Sequence, residues 1–392
     1  MENFIPADRI NRTALISLMQ ALIRINSVNP LLSSEGVGEA DICRYIGDYL
    51  KKLGLTVRYQ EIQKNRVNVI GILKGTGRGP TLMLNGHTDT VSVENMTVDP
   101  FDARIKEGKL YGRGALDMKA GVAAQISAIQ TLIESGIKLK GDVILALVAD
   151  EEYASIGTEA VVNEYRADAA IICEPTDLKI VIAHKGFAWI KIDIFGRAAH
   201  GSLPHRGIDA IVKAGNLLTA IETYAQKDLT RKTHPLLGSP SIHASLIKGG
   251  TELSTYPDYC KVELERRNLP GEDRRMVTQE MQRLLREIHA RDNQFKADVD
   301  VFFFRPAFEI SPDQPIVQTV STAFESTCNR VPTFGGIWAW LDSAILAQAG
   351  IPAVIFGPSG DGQHAAVEYV DMESVVTTTK VLVQTITDFC NP

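Results

Sequence analysis

Residues 143–152 read VILALVADEE, an apolar run that ends in three consecutive carboxylates. A short run rich in Val, Ile and Leu and bounded by polar residues is typical of a strand buried on both faces of a parallel sheet. Similar runs occupy residues 81–85 and 169–173, and helical patterns at residues 118–133 and 158–165 lie between neighbouring runs. This alternation predicts an α/β domain built on a mainly parallel sheet.

The pattern changes in the middle of the chain. Residues 187–195 alternate between apolar and polar side chains, as a half-exposed strand does. From there to residue 305 the predicted order is strand, helix, strand, strand, helix, strand, which is that of a ferredoxin-like α+β domain. Beyond it the first pattern resumes. We therefore predict one domain formed by residues 1–183 and 306–392, with a second domain inserted over residues 184–305.

The composition is that of an ordinary globular protein of 392 residues, 45% of them hydrophobic and 22% charged. The net charge is −6, and because no run of Lys or Arg stands out, we expect neither nucleic acid nor a membrane surface as a partner. No stretch reaches the ~20 apolar residues of a membrane-spanning helix, and we expect no signal peptide at the N-terminus. The five cysteines are scattered without a CxxC pair, which predicts reduced cysteines in a cytoplasmic protein.

Two motifs place metal-ligand residue types where predicted strands or turns end. In LNGHTDTV, residues 84–91, His87 and Asp89 are two apart, and so an extended backbone puts them on the same face. Such a carboxylate can hold the second nitrogen of a zinc-bound histidine, although the pair could also be polar residues at a strand end. In YGRGALDMKAG, residues 111–121, Asp117 follows a glycine-rich turn and could bind metal or cap the helix that follows.

Acidic residues and a histidine follow three further predicted strands. Asp150, Glu151 and Glu152 are adjacent and would repel one another unless cations are near; a surface acidic patch is the alternative. Because adjacent side chains point in different directions, Glu151 and Glu152 could hold separate roles. Glu174 ends the next apolar run, and His364 lies in a glycine-rich loop after the last one. Ligands of open α/β sheets bind beyond the carboxyl ends of the strands, and so these positions predict a metal site.

These motifs, in this order, resemble the dinuclear zinc family of acetylornithine deacetylase, succinyl-diaminopimelate desuccinylase, aminoacylase and glutamate carboxypeptidase. The resemblance runs over almost the whole chain and rests on HxDTV, GRGxxDxK and the Glu-Glu pair taken together. It implies that the larger domain is catalytic and binds two zinc ions, while cobalt or manganese would suit the same ligands. It also implies a homodimer, in which the inserted domain serves as lid and dimerisation domain.

The resemblance gives each residue of the centre a role. It implies five metal ligands, two for each zinc and one that bridges both: His87 and Glu174, Glu152 and His364, and Asp117. It further implies that Asp89 orients His87 and that Glu151 is the general base for a metal-bridging water. The ligand carboxylates would leave such a centre with a net positive charge, which would acidify that water.

The inserted domain is expected to supply residues that contact the substrate. In the family that the chain resembles, the histidine matching His200 helps hold the oxyanion from the partner subunit; a capping or packing histidine is the alternative. Arg267 matches an arginine for the substrate carboxylate, a suitable partner for a guanidinium; otherwise it is a surface arginine. Ser254 stands where the family often has asparagine, which would change the hydrogen bonding at the substrate.

The segment GGIWAWLDSAIL, residues 335–346, is bulky and apolar where the family usually has a small turn rich in glycine and threonine. It precedes the aspartate of the family that matches Asp342, and we predict that Asp342 and Trp340 contact the substrate. Trp338 and Trp340 could equally pack in the core or in a dimer interface. The apolar turn disfavours acetylornithine and succinyl-diaminopimelate and favours a more apolar acyl group or side chain.

Together these features predict a zinc-dependent deacylase that hydrolyses the amide bond of an N-acyl-amino acid or a similar small molecule. A carboxypeptidase or dipeptidase of the same family would break the same kind of bond, but would need an acidic partner for the substrate amine. A non-catalytic binding protein on this fold is less favoured, because all five ligand positions and the base are filled. A dinuclear phosphoesterase is disfavoured by the two-domain organisation and by Arg267.

Overall fold

The short apolar runs become strands of a central sheet in the computed structural model of the protein, which describes residues 9–392. The helices, in chain order, are α1 (Arg12–Arg24), α2 (Ala40–Lys52), α3 (Ala120–Glu134), α4 (Ile156–Glu164), α5 (Ala210–Lys227), α6 (Arg274–Arg291), α7 (Pro315–Cys328), α8 (Ser343–Gln348) and α9 (Met372–Cys390). The strands are β1 (Thr56–Gln63), β2 (Arg66–Leu73), β3 (Leu82–His87), β4 (Ile105–Lys106), β5 (Lys109–Tyr111), β6 (Val143–Val148), β7 (Ala169–Ile172), β8 (Ile180–His184), β9 (Gly186–Phe195), β10 (Ser241–Gly249), β11 (Tyr259–Asn268), β12 (Lys296–Arg305), β13 (Phe308–Glu309), β14 (Phe334–Ile337), β15 (Ala353–Ile355), β16 (Gly360–Asp361) and β17 (Tyr369–Asp371).

The described chain forms two compact units. The first contains the described residues up to Ile182, together with Ile310–Gly335 and Leu341–Pro392. The second contains Ala183–Glu309 and Gly336–Trp340. The short segment Gly336–Trp340 thus belongs to the second unit, whereas the division drawn from the sequence places it in the larger domain.

The central sheet of the first unit has the strand order β1-β2-β6-β3-β7-β15-β8. Its four middle strands are parallel, with β3 between β6 and β7 and with β15 beside β7. Every residue of β3 and β6 is buried, as expected for strands covered on both faces. Helix α3 is buried over most of its length and packs against α9. The predicted α/β class with a mainly parallel sheet is confirmed.

A small antiparallel sheet in the first unit has the order β16-β17-β5-β4. It pairs Tyr369 with Tyr111 and Val370 with Leu110, and so it joins two segments that are far apart in the sequence. The first segment leads into the loop that carries Asp117, and the second follows the loop that carries His364. The sheet therefore brings two predicted ligand loops together.

The second unit contains an antiparallel sheet with the order β10-β11-β9-β12. Helices α5 and α6 cover one face of it, where alternate residues of β9, Ile190, Ile192 and Ile194, are fully buried. Helix α5 begins at Ala210, because the carboxylate of Asp209 accepts the amide hydrogens of its first turn. The strand and helix order is the one that the sequence predicts. Within residues 9–392, no helix combines the length and the apolar character needed to cross a bilayer.

Candidate metal centre

The carboxyl ends of three neighbouring parallel strands carry the first group of site residues. His87 is the last residue of β3 and lies beside the last residue of β6 in the sheet register. Glu151 and Glu152 follow β6, and Glu174 follows β7. Because parallel strands end at one edge of the sheet, these four side chains gather there.

Asp117 lies between the two histidines of the site. Its Oδ1 is 3.1 Å from Nε2 of His87, and its Oδ2 is 3.5 Å from Nε2 of His364. It does not cap the following helix, because α3 begins at Ala120 with Lys119 as its N-cap residue, and the backbone of Asp117 and Met118 before it is not helical. This position is the one expected of a carboxylate shared by two metal ions.

The remaining carboxylates are divided between the two histidines. His87 Nε2 is 3.4 Å from Oε1 of Glu174 and 4.0 Å from Oε2 of Glu151. His364 Nε2 is 3.1 Å from Oε2 of Glu152. Two trios of ligand atoms, each within 4.8 Å of one another, could hold an ion: His87, Glu151 and Glu174, and His87, Asp117 and Glu152. The structure thus also places Glu151, the predicted base, within reach of an ion.

The site is buried on one side and open on the other. The side chain of His87 is 1% exposed and that of Glu174 is 5% exposed, whereas that of His364 is 55% exposed. Burial raises the pKa of Glu151 and of Glu174 well above the ordinary range; neighbouring carboxylates add to this, and His87 opposes it. Burial also raises the pKa of Glu152 to about 7. The buried carboxylates therefore lack compensating positive charge.

The two histidines respond to the same excess of negative charge. Hydrogen bonds to Asp117 and then to Glu152 raise the pKa of His364 to about 10. Burial by itself would lower the pKa of His87, but Glu174 and Asp117 outweigh it and raise that pKa well above the ordinary value. Imidazole and carboxylate groups are donors that divalent metal ions accept. The donor set and its unbalanced charge therefore fit divalent metal ions.

Asp89 contacts the centre through its main-chain oxygen and through its carboxylate. Nδ1 of His87 is 3.0 Å from the main-chain oxygen of Asp89 and 3.6 Å from its carboxylate, and so the main-chain oxygen is the nearer acceptor. A proton on Nδ1 leaves Nε2 of His87 unprotonated and able to bind metal. The carboxylate of Asp89 accepts the amide hydrogens of Glu151 at 3.1 Å and Glu152 at 3.3 Å. It therefore fixes the backbone that carries both glutamates.

Sequence reasoning did not assign a role to several polar residues around the centre. They are buried and hydrogen-bonded to the segments that carry the ligands: Asn29, Arg66, Arg113, Asp150 and Glu368. A signal was present for three of them. Asp150 opens the acidic triplet, Arg113 lies inside the quoted GRG motif, and Glu368 lies four residues after His364. A single polar residue with a distant partner carries no local pattern, which is why Asn29 and Arg66 had none.

His200 and Ser254 lie on two exposed loops of the second unit that are bonded to each other. The amide of Gly201 donates to the main-chain oxygen of Ser254 at 2.7 Å, and His200 forms a β-bridge with Thr255. The amide of Ser202 donates to Nδ1 of His200 at 3.2 Å. His200 caps no helix and is not packed in the core of its unit.

Arg267 lies on β11 of the second unit, on the opposite face from its neighbour Arg266. Arg266 is fully buried, whereas the side chain of Arg267 is 32% exposed. Nε of Arg267 donates to Glu265 at 2.7 Å, and its guanidinium carbon lies 5.3 Å from the ring centroid of Phe187. The side chain of Arg267 is therefore anchored at Nε and stacked against an aromatic ring.

The two predicted substrate residues of the aromatic turn are both buried. Trp340, in the second unit, is 8% exposed, and its indole Nε1 donates to the main-chain oxygen of Pro306 at 3.0 Å. Trp338, in contrast, is 69% exposed. Asp342, in the first unit, accepts a hydrogen bond of 2.6 Å from the hydroxyl of Thr158, and burial raises its pKa to about 6.

The chain is similar to known proteins of one family. Residues 83–388 match the family described as peptidase family M20/M25/M40. The chain is 28% identical to an N-formyl-4-amino-5-aminomethyl-2-methylpyrimidine deformylase of Bacillus subtilis, over 97% of this chain and 96% of that protein. It is also 28% identical to an acetylornithine deacetylase of Myxococcus xanthus, over 100% of this chain and 99% of that protein.

A solved structure shares the fold. Aminopeptidase PepT from Bacillus cereus superposes with a TM-score of 0.79 at 23% identity, over 97% of this chain and 99% of that one. The family match spans well over half of the sequence, and the matched region includes all five predicted metal ligands and Glu151. The chain therefore belongs to peptidase family M20/M25/M40 and is a metal-dependent hydrolase of amide bonds.

Proposed function

We propose that this enzyme removes the acyl group from an N-acyl-amino acid or a closely similar small amide, with two zinc ions and Glu151 as the general base. The observation that carries the proposal is the place of Asp117, whose two carboxylate oxygens lie 3.1 Å from His87 and 3.5 Å from His364. A carboxylate between two imidazoles suits a pair of metal ions better than a single one.

The metal ions would be held by residues that the first unit brings together. His87 and Glu174 would hold one ion, Glu152 and His364 the other, and Asp117 would contact both. Zinc fits these nitrogen and oxygen donors, and cobalt or manganese would also be accepted. When bound, the ions would polarise the substrate carbonyl and acidify water.

Glu151 would move the proton in this reaction. Its side chain is 10% exposed, and burial raises its pKa well above the ordinary value. A carboxylate that no metal ion binds can take a proton from the attacking water and return it to the leaving nitrogen. The hydrogen bond from its amide to Asp89 holds the backbone in place while the side chain stays free to do so.

His200 and Arg267 would bind the parts of the substrate away from the metals. Nδ1 of His200 accepts the amide hydrogen of Ser202 at 3.2 Å and lies 2.8 Å from its hydroxyl; with its ring proton on Nε2, His200 would donate to an oxyanion. Arg267 would pair with the carboxylate of the substrate. Ser254, next to His200 through its loop, would supply a hydroxyl, and Trp340 would shape the apolar side.

A second candidate is a dipeptidase or carboxypeptidase, for which Asp342 is the favouring observation. Its buried carboxylate adds to the negative charge that raises the pKa of Glu151 and of Glu174. In this candidate, that charge would serve as the acidic partner of the ammonium group of an aminoacyl substrate. A simple N-acyl substrate has no ammonium group at this place, and so the contact with Asp342 would be made only by an aminoacyl substrate.

The assembly and location that we propose are a homodimer in the cytoplasm acting on a small molecule. Strand β10 lies at the edge of its sheet in the described part of the chain and exposes Leu246 and Ile247, a surface that a second copy could cover. All five cysteines are free thiols, and four of them are buried, which suits a reducing compartment.

A substrate screen tests the proposed function. N-acetyl-, N-succinyl-, N-formyl- and aminoacyl-amino acids are offered to the zinc-loaded protein, and released amine is measured. Because the Bacillus subtilis relative is named as a pyrimidine deformylase, the N-formyl derivative of an aromatic methylamine is included. We expect an N-acyl compound to be the best substrate; a preference for dipeptides would select the second candidate, and faster hydrolysis of a phosphodiester than of every amide would refute both.

A further inference from the structure

A buried ion pair joins the two loops that carry Asp117 and His364. Nη1 of Arg113 donates to Oε2 of Glu368 at 2.8 Å, and the two side chains are 2% and 0% exposed. Arg113 precedes Asp117 by four residues, and Glu368 follows His364 by four. The pair therefore connects two segments of the first unit that are far apart in the sequence. Asp117 and Glu368, which are hydrogen-bonded to each other, are separated by 251 positions.

The carboxylate of Glu368 organises the loop of Asp117. Oε2 also accepts the amide hydrogen of Gly114 at 3.1 Å, and Oε1 accepts those of Leu116 at 2.9 Å and Asp117 at 3.1 Å. Three amides can converge on one carboxylate only in a tight turn, and Gly114 provides it with a φ of +76°. A Cβ there would come within 2.7 Å of Thr90. With the bond from Arg113, each carboxylate oxygen of Glu368 thus accepts two hydrogen bonds.

The guanidinium of Arg113 holds the loop of His364 in the same way. Its Nη2 donates to the main-chain oxygen of Ala365 at 3.2 Å, directly after His364, and its Nε donates to that of Ser92 at 3.1 Å. His364 itself is in a left-handed conformation, with φ of 59°, and its side chain is 55% exposed. Packing around His364 therefore does little to hold it, and its backbone anchors matter more.

We propose that Arg113 and Glu368 are positioning residues that set the separation of Asp117 and His364, and hence the affinity of the metal site that these two ligands share. Glu368 fixes the backbone amide of Asp117, Arg113 fixes the residue next to His364, and the ion pair connects the two. Groups that orient metal ligands contribute about 10–100-fold to metal affinity. The proposal rests on the metal centre of the proposed function and adds two residues to it that touch neither metal nor substrate.

Zinc binding by the full chain tests the proposal. Metal-free protein is titrated with zinc in a calorimeter, and thermal unfolding of the metal-free form is recorded in parallel. Glu368→Gln keeps the shape but turns an amide NH2 toward donors and leaves Arg113 unpaired, and so we expect zinc affinity at one site to fall by about 10–100-fold. Arg113→Lys keeps the charge but loses the forked contacts, and a smaller loss is expected.

Glu272→Gln is the matched control. Glu272 accepts 2.7 Å and 2.9 Å hydrogen bonds from the buried Arg266, and so this variant breaks a similar ion pair within the second unit, which holds none of the proposed metal ligands. We expect it to lower the melting temperature while zinc affinity stays unchanged. An equal loss of zinc affinity in this control would show a general effect of stability and overturn the proposal.

Two further outcomes decide the matter. Unchanged zinc affinity in a folded Glu368→Gln protein overturns the positioning role, and if that variant does not fold, unchanged affinity in Arg113→Lys does so. The unsubstituted protein is the reference: binding of two zinc ions supports the proposed centre, and absence of zinc binding there would remove the proposed function and the positioning role together. Failure of the positioning role alone is therefore distinguishable from failure of the centre.

Discussion

Nη2 of Arg66 donates a hydrogen bond of 2.6 Å to the carboxylate of Asp150, the residue directly before the two glutamates of the centre. The same guanidinium pairs with Glu39 at 2.9 Å, and all three side chains are at most 3% exposed. Asn29 donates both to Asp150 at 3.0 Å and to Asp89 at 2.8 Å. The buried guanidinium of Arg66 thus balances the negative charge of Asp150 and Glu39, next to the backbone that carries Glu151 and Glu152.

Replacing Arg66 with Met is expected to destabilise the protein strongly. Asp150 and Glu39 would remain buried without a cation, and breaking a buried ion pair from one side costs about 3–5 kcal/mol. Chemical unfolding followed by circular dichroism measures the change. The control is Arg12→Met, which breaks the exposed pair with Glu373, whose partners are 55% and 70% exposed; there we expect about 1 kcal/mol or less. Equal effects of the two substitutions would contradict the structural role of Arg66.

Replacing Glu151 with Gln separates the base from the metal ligands. A glutamine cannot take a proton from water, and loss of a general base lowers kcat by about 10²–10⁴-fold. The metal content should stay at its normal value, since the proposed ligands are untouched. Glu152→Gln is the neighbouring comparison, expected to reduce bound metal as well as kcat. Loss of metal from Glu151→Gln would instead move Glu151 into the ligand set, as its 4.0 Å distance from His87 allows.

Replacing His200 with Ala tests the donor role of this exposed histidine. We expect kcat to fall by about 10²–10³-fold, the usual cost of removing one oxyanion donor, while metal content and melting temperature stay the same. His205→Ala is the matched control, because His205 is also exposed and lies in the same segment. A normal kcat in His200→Ala would contradict the donor role.

Several residues of the centre could be proposed from the sequence, because metal-ligand residue types stand near the ends of apolar runs. Glu174 directly follows an apolar run, and Glu151 and His87 each stand close behind one. Such positions mark the carboxyl ends of parallel strands, and the ends of three neighbouring strands lie together at one edge of the sheet. The start of α3 was misplaced by two residues, because the backbone of Asp117 and Met118 is not helical and the regular helix begins only at Ala120. Helix propensity does not reveal such an irregular segment in front of an α-helix.

Other features were not predictable for physical reasons. Strand β1 was missed because most of its residues are partly or fully exposed and TVRYQEIQ lacks a buried face, and β16 and β17 are too short to show any periodicity. Glu368 stands four residues after His364, but its hydrogen-bond partners could not be predicted, since they lie about 250 positions away. Long-range hydrogen bonds leave no spacing in the sequence that periodicity could detect.

The second unit should lose stability in acid through Glu272. Burial alone would raise the pKa of this carboxyl, but its hydrogen bonds and charge interaction with Arg266 lower it from the ordinary 4.5 to about 2. A group with a lowered folded pKa stabilises the fold fully above its unfolded pKa, and this contribution disappears as the pH falls through the folded value. Stability from Glu272 is therefore expected at pH 7 and lost progressively between about pH 5 and pH 2.

Unfolding of the unsubstituted protein and of Glu272→Gln at a series of pH values measures this contribution. All three tryptophans, Trp189, Trp338 and Trp340, belong to the second unit, and so their fluorescence reports the unfolding of this unit. Both proteins share every other acidic group, and their difference in unfolding free energy isolates Glu272. We expect that difference to be constant above about pH 5 and to shrink as the pH falls toward 2. A difference that stays the same down to pH 2 would show that Arg266 does not hold the carboxylate ionised.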